Sequence, residues 1–302
     1  MNRGVITSIQ LFLAFAGSPA WGQAQAGTHD VQRAIATDPV RDPAFPPRKE
    51  VIRVPSGGTI INGVVYTASG PGPHPTFVFF HGLPGNERNL DLAQAVRRAG
   101  WNAVTVNYRG SWGSGGSFRF ANTLEDAKAT LAFVRDPANA KKLGIDTGRI
   151  AIGGHSMGGW VTAHTLADDP ALLGGVIFSA GDFGKVGLNA RADHAAIAAR
   201  MNEVRETLVD VTGDSMADEL AANADAWSFT SLAPRLAGRR LLILYSEDFA
   251  KPYSLTLIEA MKKVPGSLAV SAYTPTDHDW SDVRISLETQ VLIWLTSLPG
   301  GR

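Results

Sequence analysis

The sequence predicts an α/β protein: a mostly parallel sheet of eight strands, helices on both faces, and a helical insertion acting as a lid. Three observations predict it. From Thr76 onward, short apolar runs alternate with segments of helical spacing. Those runs are apolar along their whole length, as strands buried on both faces of a parallel sheet must be. Between Asp182 and Asp225 the alternation stops, and an alanine-rich, charged stretch without a strand pattern takes its place. Repeated strand–helix units require parallel strands with helices on both faces, because that is how such crossovers pack back on a sheet.

The elements follow in order. Lys49 to Pro55 and Thr59 to Thr67 are rich in Val and Ile and are joined by Ser56-Gly57-Gly58, a hairpin signal. Thr76 to Phe80 is the first buried strand. Asn89 to Ala99 carries Leu92, Ala95, Val96 and Ala99 at helical spacing and is closed by Gly100. Asn102 to Val106 is a strand, and Leu124 to Val134 a helix capped by Thr123 or Asn122. A strand over Ile150–Ile152 leads into a helix ended by Pro170, and Gly175 to Ser179 is the next strand. Within the insertion, about 182–226, helices are expected near His194–Val209 and Ser215–Ala224. Arg239 to Tyr245 and Leu268 to Tyr273 are the last strands; Ser254–Lys263 and Asp282–Leu298 are the last helices.

The N-terminus reads differently. Arg3 precedes an apolar run from Val5 to Ala16, and Ser18-Pro19-Ala20 and Ala24-Gln25-Ala26 supply small residues. This is the pattern of a signal peptide, 1–26, cleaved after Ala26 with Ala20 second, and the run is short for a membrane span. The mature protein is therefore expected to be exported, periplasmic or extracellular, without stable membrane insertion. Residues 27–47 are polar, carry Asp-Pro twice and end in Pro46-Pro47, and read as a loosely held arm before a domain over 48–302.

Composition narrows the function. Lys plus Arg and Asp plus Glu both number 28 and no basic run occurs, which gives no footprint for nucleic acid. Without cysteine there is neither a disulfide framework nor a thiolate metal site. No two histidines stand at ligand spacing with a third partner, so no metal and no cofactor are expected.

The chemistry centres on Gly154-His155-Ser156-Met157-Gly158, a G-x-S-x-G motif between a strand and a helix. Such a motif arises by chance in a chain with 32 glycines, so its context decides. A serine on so sharp a turn needs small neighbours for strand and helix to pass, and the turn pushes Oγ out of the sheet. Catalytic groups in an α/β sheet gather at the carboxyl ends of strands. After Phe80 come His81-Gly82-Leu83; after the Gly175 strand comes Asp182; after Tyr245 come Glu247 and Asp248; after Tyr273 comes Asp277-His278-Asp279.

A serine, an acid and a histidine in that chain order resemble the α/β-hydrolase superfamily over roughly Val51 to Leu298. The matching residues are His81-Gly82, Gly154 to Gly158, Asp248 with Pro252 four residues on, and His278. The stretch Asn107 to Gly115 is also similar to a loop of prolyl-oligopeptidase-type catalytic domains, and with about 50 residues before the first strand their propeller is not expected. The resemblance implies Ser156 as nucleophile, His278 as base, and Asp248 as its acid, with Glu247 and Asp182 as competitors. Oxyanion donors are then the amides of Met157 and Leu83. His81 is expected to shape that loop without moving a proton, and His155 and His164 to pack. The expected activity is that of an exported serine hydrolase cleaving a carboxylic ester through an acyl-enzyme. A peptidase-like amide hydrolase comes second, and a non-catalytic binding protein on the same fold third. The partner is a small-molecule or peptide substrate.

Overall fold

The computed structural model describes residues 24–300, and the expected leader lies outside the described residues except for Ala24–Ala26. The chain opens with α1 (Ala24–Ala36), β1 (Arg48–Ser56), β2 (Thr59–Thr67), β3 (His74–Phe80), α2 (Leu90–Arg98) and β4 (Asn102–Val106). It continues through α3 (Phe120–Arg135), α4 (Pro137–Leu143), β5 (Ile145–His155), α5 (Met157–Asp168) and β6 (Gly175–Phe178). The insertion holds α6 (Phe183–Ala192), α7 (His194–Asn202), α8 (Gly213–Asn223) and α9 (Phe229–Leu232), followed by a 3-10 turn over Ala233–Leu236. The fold closes with β7 (Arg240–Tyr245), α10 (Lys251–Lys262), β8 (Leu268–Tyr273) and α11 (Arg284–Ser297).

The eight strands lie in the order β1-β2-β4-β3-β5-β6-β7-β8. β2 runs antiparallel to both β1 and β4, and every pair from β4 to β8 is parallel. The fully apolar runs occupy the middle of the sheet, where both faces are covered, and alternate residues feed two separate cores. Val78, Phe80, Ile150 and Ile152 point to one core, shared with α3, α5 and α10. Phe77, Phe79, Ala151 and Val176 point to the other, shared with α1, α2 and α11. β8 is the exception: it is an edge strand, and Leu268, Val270 and Tyr273 stay exposed.

Four departures from the sequence reading have physical causes. The arm over 27–47 is not loose throughout. α1 buries Val31 and Ala34 against the second core, and the Arg98 guanidinium donates to the carbonyls of Ala34 and Ile35 at its end. α3 starts at Phe120, before the expected cap. Its N-cap residue, Arg119, contributes no side-chain bond; the first-turn amides of Phe120 and Ala121 donate instead to the carboxylate of Glu219 on α8, at 3.0 and 2.9 Å. A partner 98 residues away lies outside any local capping rule. In the insertion, α6 precedes both of the expected helical stretches. A Cβ on Gly184 would meet the Ser228 amide nitrogen at 2.2 Å, and one on Gly187 the Leu220 carbonyl oxygen at 2.2 Å, so both glycines serve close helix packing. The predicted helix over His194–Val209 breaks at Asn202, whose side-chain oxygen accepts from Gly213 N and ties the end of α7 to the start of α8.

The insertion shares the main core instead of standing apart. Trp227 packs against Trp160 of α5 with ring centres 5.1 Å apart, and the Trp160 indole donates to the Trp227 carbonyl at 3.0 Å. Among the described residues no helix is long and apolar enough to cross a membrane.

The glycines of the β5–α5 turn give the sharpest prediction. A Cβ on Gly158 would stand 1.9 Å from the Phe80 carbonyl oxygen, which is backbone and cannot swing away. Gly158→Ala should cost more than about 3 kcal/mol or abolish folding, whereas Gly148→Ala, whose Cβ meets nothing closer than Asp146 Oδ1 at 3.4 Å, should stay within about 0.5 kcal/mol. Thermal melts of the two variants beside the parent check this.

Candidate active site

Ser156 sits between the last residue of β5 and the first of α5, with φ 54° and ψ −117°. A non-glycine residue at positive φ is strained and persists only where its surroundings force it. The forcing contacts are visible. A Cβ on Gly154 would strike Gly158 O at 2.1 Å, and one on Gly159 would meet Ala180 Cβ at 2.6 Å, so strand, helix and the end of β6 touch through bare backbone. The Ser156 amide donates to Phe178 O, and its carbonyl accepts from Gly181 N, both at 3.1 Å. The residue is thus pinned on both sides while its side chain remains partly open to solvent.

The loop after β3 passes directly over this turn. A Cβ on Gly82 would lie 3.1 Å from Ser156 Cβ, which places Leu83, the next residue, beside the serine. Among the described residues the Leu83 and Met157 amides donate to no other acceptor. His81 holds this loop: its Nδ1–H donates to Gly82 O at 2.7 Å, and Tyr108 Oη donates to the His81 carbonyl at 3.2 Å. Trp112 Nε1 donates to Pro84 O at 2.7 Å from the loop after β4.

Of the three candidate acids, only Asp248 meets His278. His278 Nδ1 donates to Asp248 Oδ2 at 2.8 Å. The same oxygen accepts from Ser246 Oγ at 2.9 Å, and Oδ1 accepts from Ala250 N at 2.8 Å. Burial alone would push the Asp248 carboxyl up; hydrogen bonds from His278, Ser179 and Ser246 outweigh it and bring it down to about 2. Glu247 points outward, to Lys251 Nζ and the Tyr273 hydroxyl. Asp182 is buried as the N-cap of α6, accepting from Lys185 N at 3.0 Å and Phe229 N at 3.2 Å, with its carboxyl raised by burial. Both competitors are therefore occupied with other tasks. Asp277 and Asp279, which flank His278, are exposed.

His155 does more than fill space. Its ring stacks on Phe178 and stands 4.7 Å from the His278 ring, and its Nε2 donates to the His278 carbonyl at 2.9 Å. The residue before the candidate nucleophile thus fixes the main chain of the candidate base. Ser179, Ser246 and Trp280 carry no role in the sequence reading. Ser179 and Ser246 each follow an apolar strand at its carboxyl end, a signal that a search for polar residues at strand ends would have caught. Over the site, Phe249 is 54% exposed, its ring 4.3 Å from that of His278, and the Arg200 guanidinium of α7 covers its other side at 5.1 Å. Cavities of about 590 and 600 Å³ lie elsewhere, and neither is lined by Ser156, Asp248 or His278.

With this geometry in place, the sequence matches the alpha/beta hydrolase family over residues 77–297. The chain belongs to that family. Among solved structures it is similar to an esterase of Pyrobaculum calidifontis (TM-score 0.63, 19% identity, over 92% of this chain and 93% of that one). It is also similar to an acylaminoacyl peptidase of Pyrococcus horikoshii (TM-score 0.62, 20% identity), covering 84% of this chain but only 42% of that longer one. The alpha/beta hydrolase GrgF from Penicillium sp. sh18 aligns with TM-score 0.61 at 16% identity, over 82% of this chain and 98% of that one. At these identities the likeness is one of fold, and in this α/β hydrolase the candidate groups stand at the strand ends where the fold exposes them.

Three of the histidines are buried and neutral. Burial lowers His81 and His164 to about 4 and His155 to about 3, against an ordinary value of 6.5. Because the folded values lie below the unfolded ones, the unfolded chain binds protons first as pH falls. Stability from these groups is complete above pH 6.5 and declines toward pH 4, by up to about 1.4 kcal/mol per pH unit for each histidine. Urea unfolding midpoints between pH 7 and pH 4.5 should show this fall, with a shallower slope in His164→Leu; a flat profile would contradict it.

Proposed function

We propose that this chain is an exported serine hydrolase that cleaves a carboxylic ester through an acyl-enzyme. The observation that carries the reading is the 2.8 Å bond from His278 Nδ1 to Asp248, in a chain whose Ser156 is held on a strained, partly open turn. A serine hydroxyl is a weak nucleophile until a base removes its proton. With Nδ1–H committed to Asp248, the imidazole is fixed in the tautomer whose Nε2 lone pair can accept that proton. Asp248 remains ionised throughout, since its carboxyl lies far below neutral pH, and it stabilises the imidazolium that forms. Ser156 Oγ attacks the ester carbon; the oxyanion is received by the Leu83 amide in the loop after β3 and by the Met157 amide at the start of α5, where the helix dipole also favours negative charge. The imidazolium returns its proton to the leaving alcohol. Water, activated by the same base, then releases the acid and frees Ser156.

The leader pattern over 1–26 supports export. An amide substrate is the second reading. It is favoured by the Asn107 to Gly115 loop and by the fold shared with an acylaminoacyl peptidase. The substrate is a small molecule or peptide in either case.

Two experiments test the reading. Ser156→Ala should abolish hydrolysis of a short p-nitrophenyl ester while the far-ultraviolet spectrum stays native; retained turnover sinks the nucleophile assignment. Asp248→Asn should lower kcat by about 10³- to 10⁴-fold, because the amide favours the wrong imidazole tautomer. Asp182→Asn should instead weaken the protein by about 1 kcal/mol through the lost helix cap, with kcat within about tenfold. The reverse ranking would move the acid to Asp182. A parallel screen of acyl esters and amino-acyl amides then separates the ester reading from the amide one.

A further inference from the structure

At Asp248 Oδ2, the oxygen that also receives His278, a continuous line of hydrogen bonds from three side chains ends. Trp280 Nε1 donates to Ser179 Oγ at 3.1 Å; Ser179 Oγ lies 2.8 Å from Ser246 Oγ; Ser246 Oγ donates to Asp248 Oδ2 at 2.9 Å. All three residues are completely buried. They come from three separate segments, which follow β6, β7 and β8.

The direction of every bond is fixed by the two ends. An indole N–H can only donate, and an ionised carboxylate can only accept. Ser246 therefore uses its single proton on Asp248 and must accept from Ser179. Ser179 accepts from Trp280 and sends its own proton toward Ser246 and the carboxylate. No arrangement with reversed polarity satisfies both ends. The backbone adds a second observation. Ser179 and Trp280 have φ of 46° and 59°, strained for residues with side chains; Ser179 follows β6 directly, and Trp280 lies in the loop between β8 and α11. Strain of this kind persists where the surroundings hold it, and here it aims the two side chains at each other.

We propose that Trp280, Ser179 and Ser246 form a one-way hydrogen-bond relay whose task is to hold the Asp248 carboxylate ionised and turned toward His278. This rests on the reading of Asp248 and His278 as the acid and base of the site. The three are positioning residues: none touches the reacting atoms, Trp280 acts through Ser179, and Ser179 acts on the carboxylate through Ser246 or by reaching it directly. Aligned dipoles in a dry interior reinforce one another, so the relay delivers to Asp248 a stronger donor than an isolated serine would. Removing it leaves a carboxylate with less stabilisation and thus a stronger base. A more basic carboxylate beside the imidazole favours the imidazolium, so the acid limb of activity moves to higher pH.

The test is the pH profile of kcat/KM for Ser179→Ala, Trp280→Phe and the double variant, beside Ser254→Ala as a buried serine outside the relay. Ser179→Ala should move the acid limb up by about one pH unit, a roughly tenfold loss on that limb, with KM within about twofold. Trp280→Phe keeps the ring and removes only the N–H; it should move the limb in the same direction by less. The double variant should match Ser179→Ala alone, because the indole acts only through Ser179. Ser254→Ala should leave the limb in place. A limb that does not move in folded Ser179→Ala, or shifts that add in the double variant, overturns the relay; if Ser179→Ala fails to fold, Trp280→Phe decides by the same criterion. The low-field proton resonance of His278 Nδ1–H supplies a readout that needs no turnover. It should move in Ser179→Ala and not in Ser254→Ala, so a failure of the relay is distinguishable from a failure of the Ser156 assignment.

Discussion

The main-chain reversal at Ser156 is the constraint on which the rest depends. β5 must end, and α5 begin, within a single residue, and the helix must then run back over the sheet. That is possible only because the first turn of α5 meets the ends of β3 and β6 through glycine: Gly158 lies against the Phe80 carbonyl, Gly159 against Ala180, and Gly154 against Gly158. Once this approach is made, α5 is buried on every side from Met157 to Leu166, and the two apolar layers close around it. The same approach brings the loop after β3 over the serine and the end of β6 beneath it. Fold and candidate site are therefore one packing solution.

Around that turn, the groups that would act are held mostly by residues that would not. His81 and Tyr108 fix the loop carrying Leu83. His155 fixes the main chain of His278, and four donors converge on Asp248. The insertion is fastened at both flanks of the site. Val209 exchanges main-chain bonds with Gly110 and Phe118, Glu219 caps α3, and Trp227 is tied to Trp160. Arg200 of its α7 stands over Phe249, whose ring lies against that of His278.

How much of this could be read from the sequence differs by kind of feature. The eight strands were legible, because buried β-branched and aromatic runs bounded by turns leave few alternatives. β2, β4 and β8 begin and end where the pattern placed them. Helices were legible where one face was apolar. They were missed where the reason was remote: α6 depends on glycines that admit Ser228 and Leu220, and the start of α3 depends on Glu219. α1 was missed because its apolar face is small, and only α11 and α2 complete it.

The sequence by itself determined the alternation of strands and helices, the turn at Ser156 and the order serine, acid, histidine. Each is a local pattern or a count along the chain, and the physics that makes it informative acts over a few residues. Which carboxylate meets His278 was decided only by the tertiary structure. Asp182, Glu247 and Asp248 all follow strands, but one caps a helix, one pairs with Lys251 and Tyr273 at the surface, and one receives His278 and the Trp280–Ser179–Ser246 chain. Those partners come from segments that only the sheet order brings together. A carboxylate's role depends on which donors surround it, and that is a property of the folded chain.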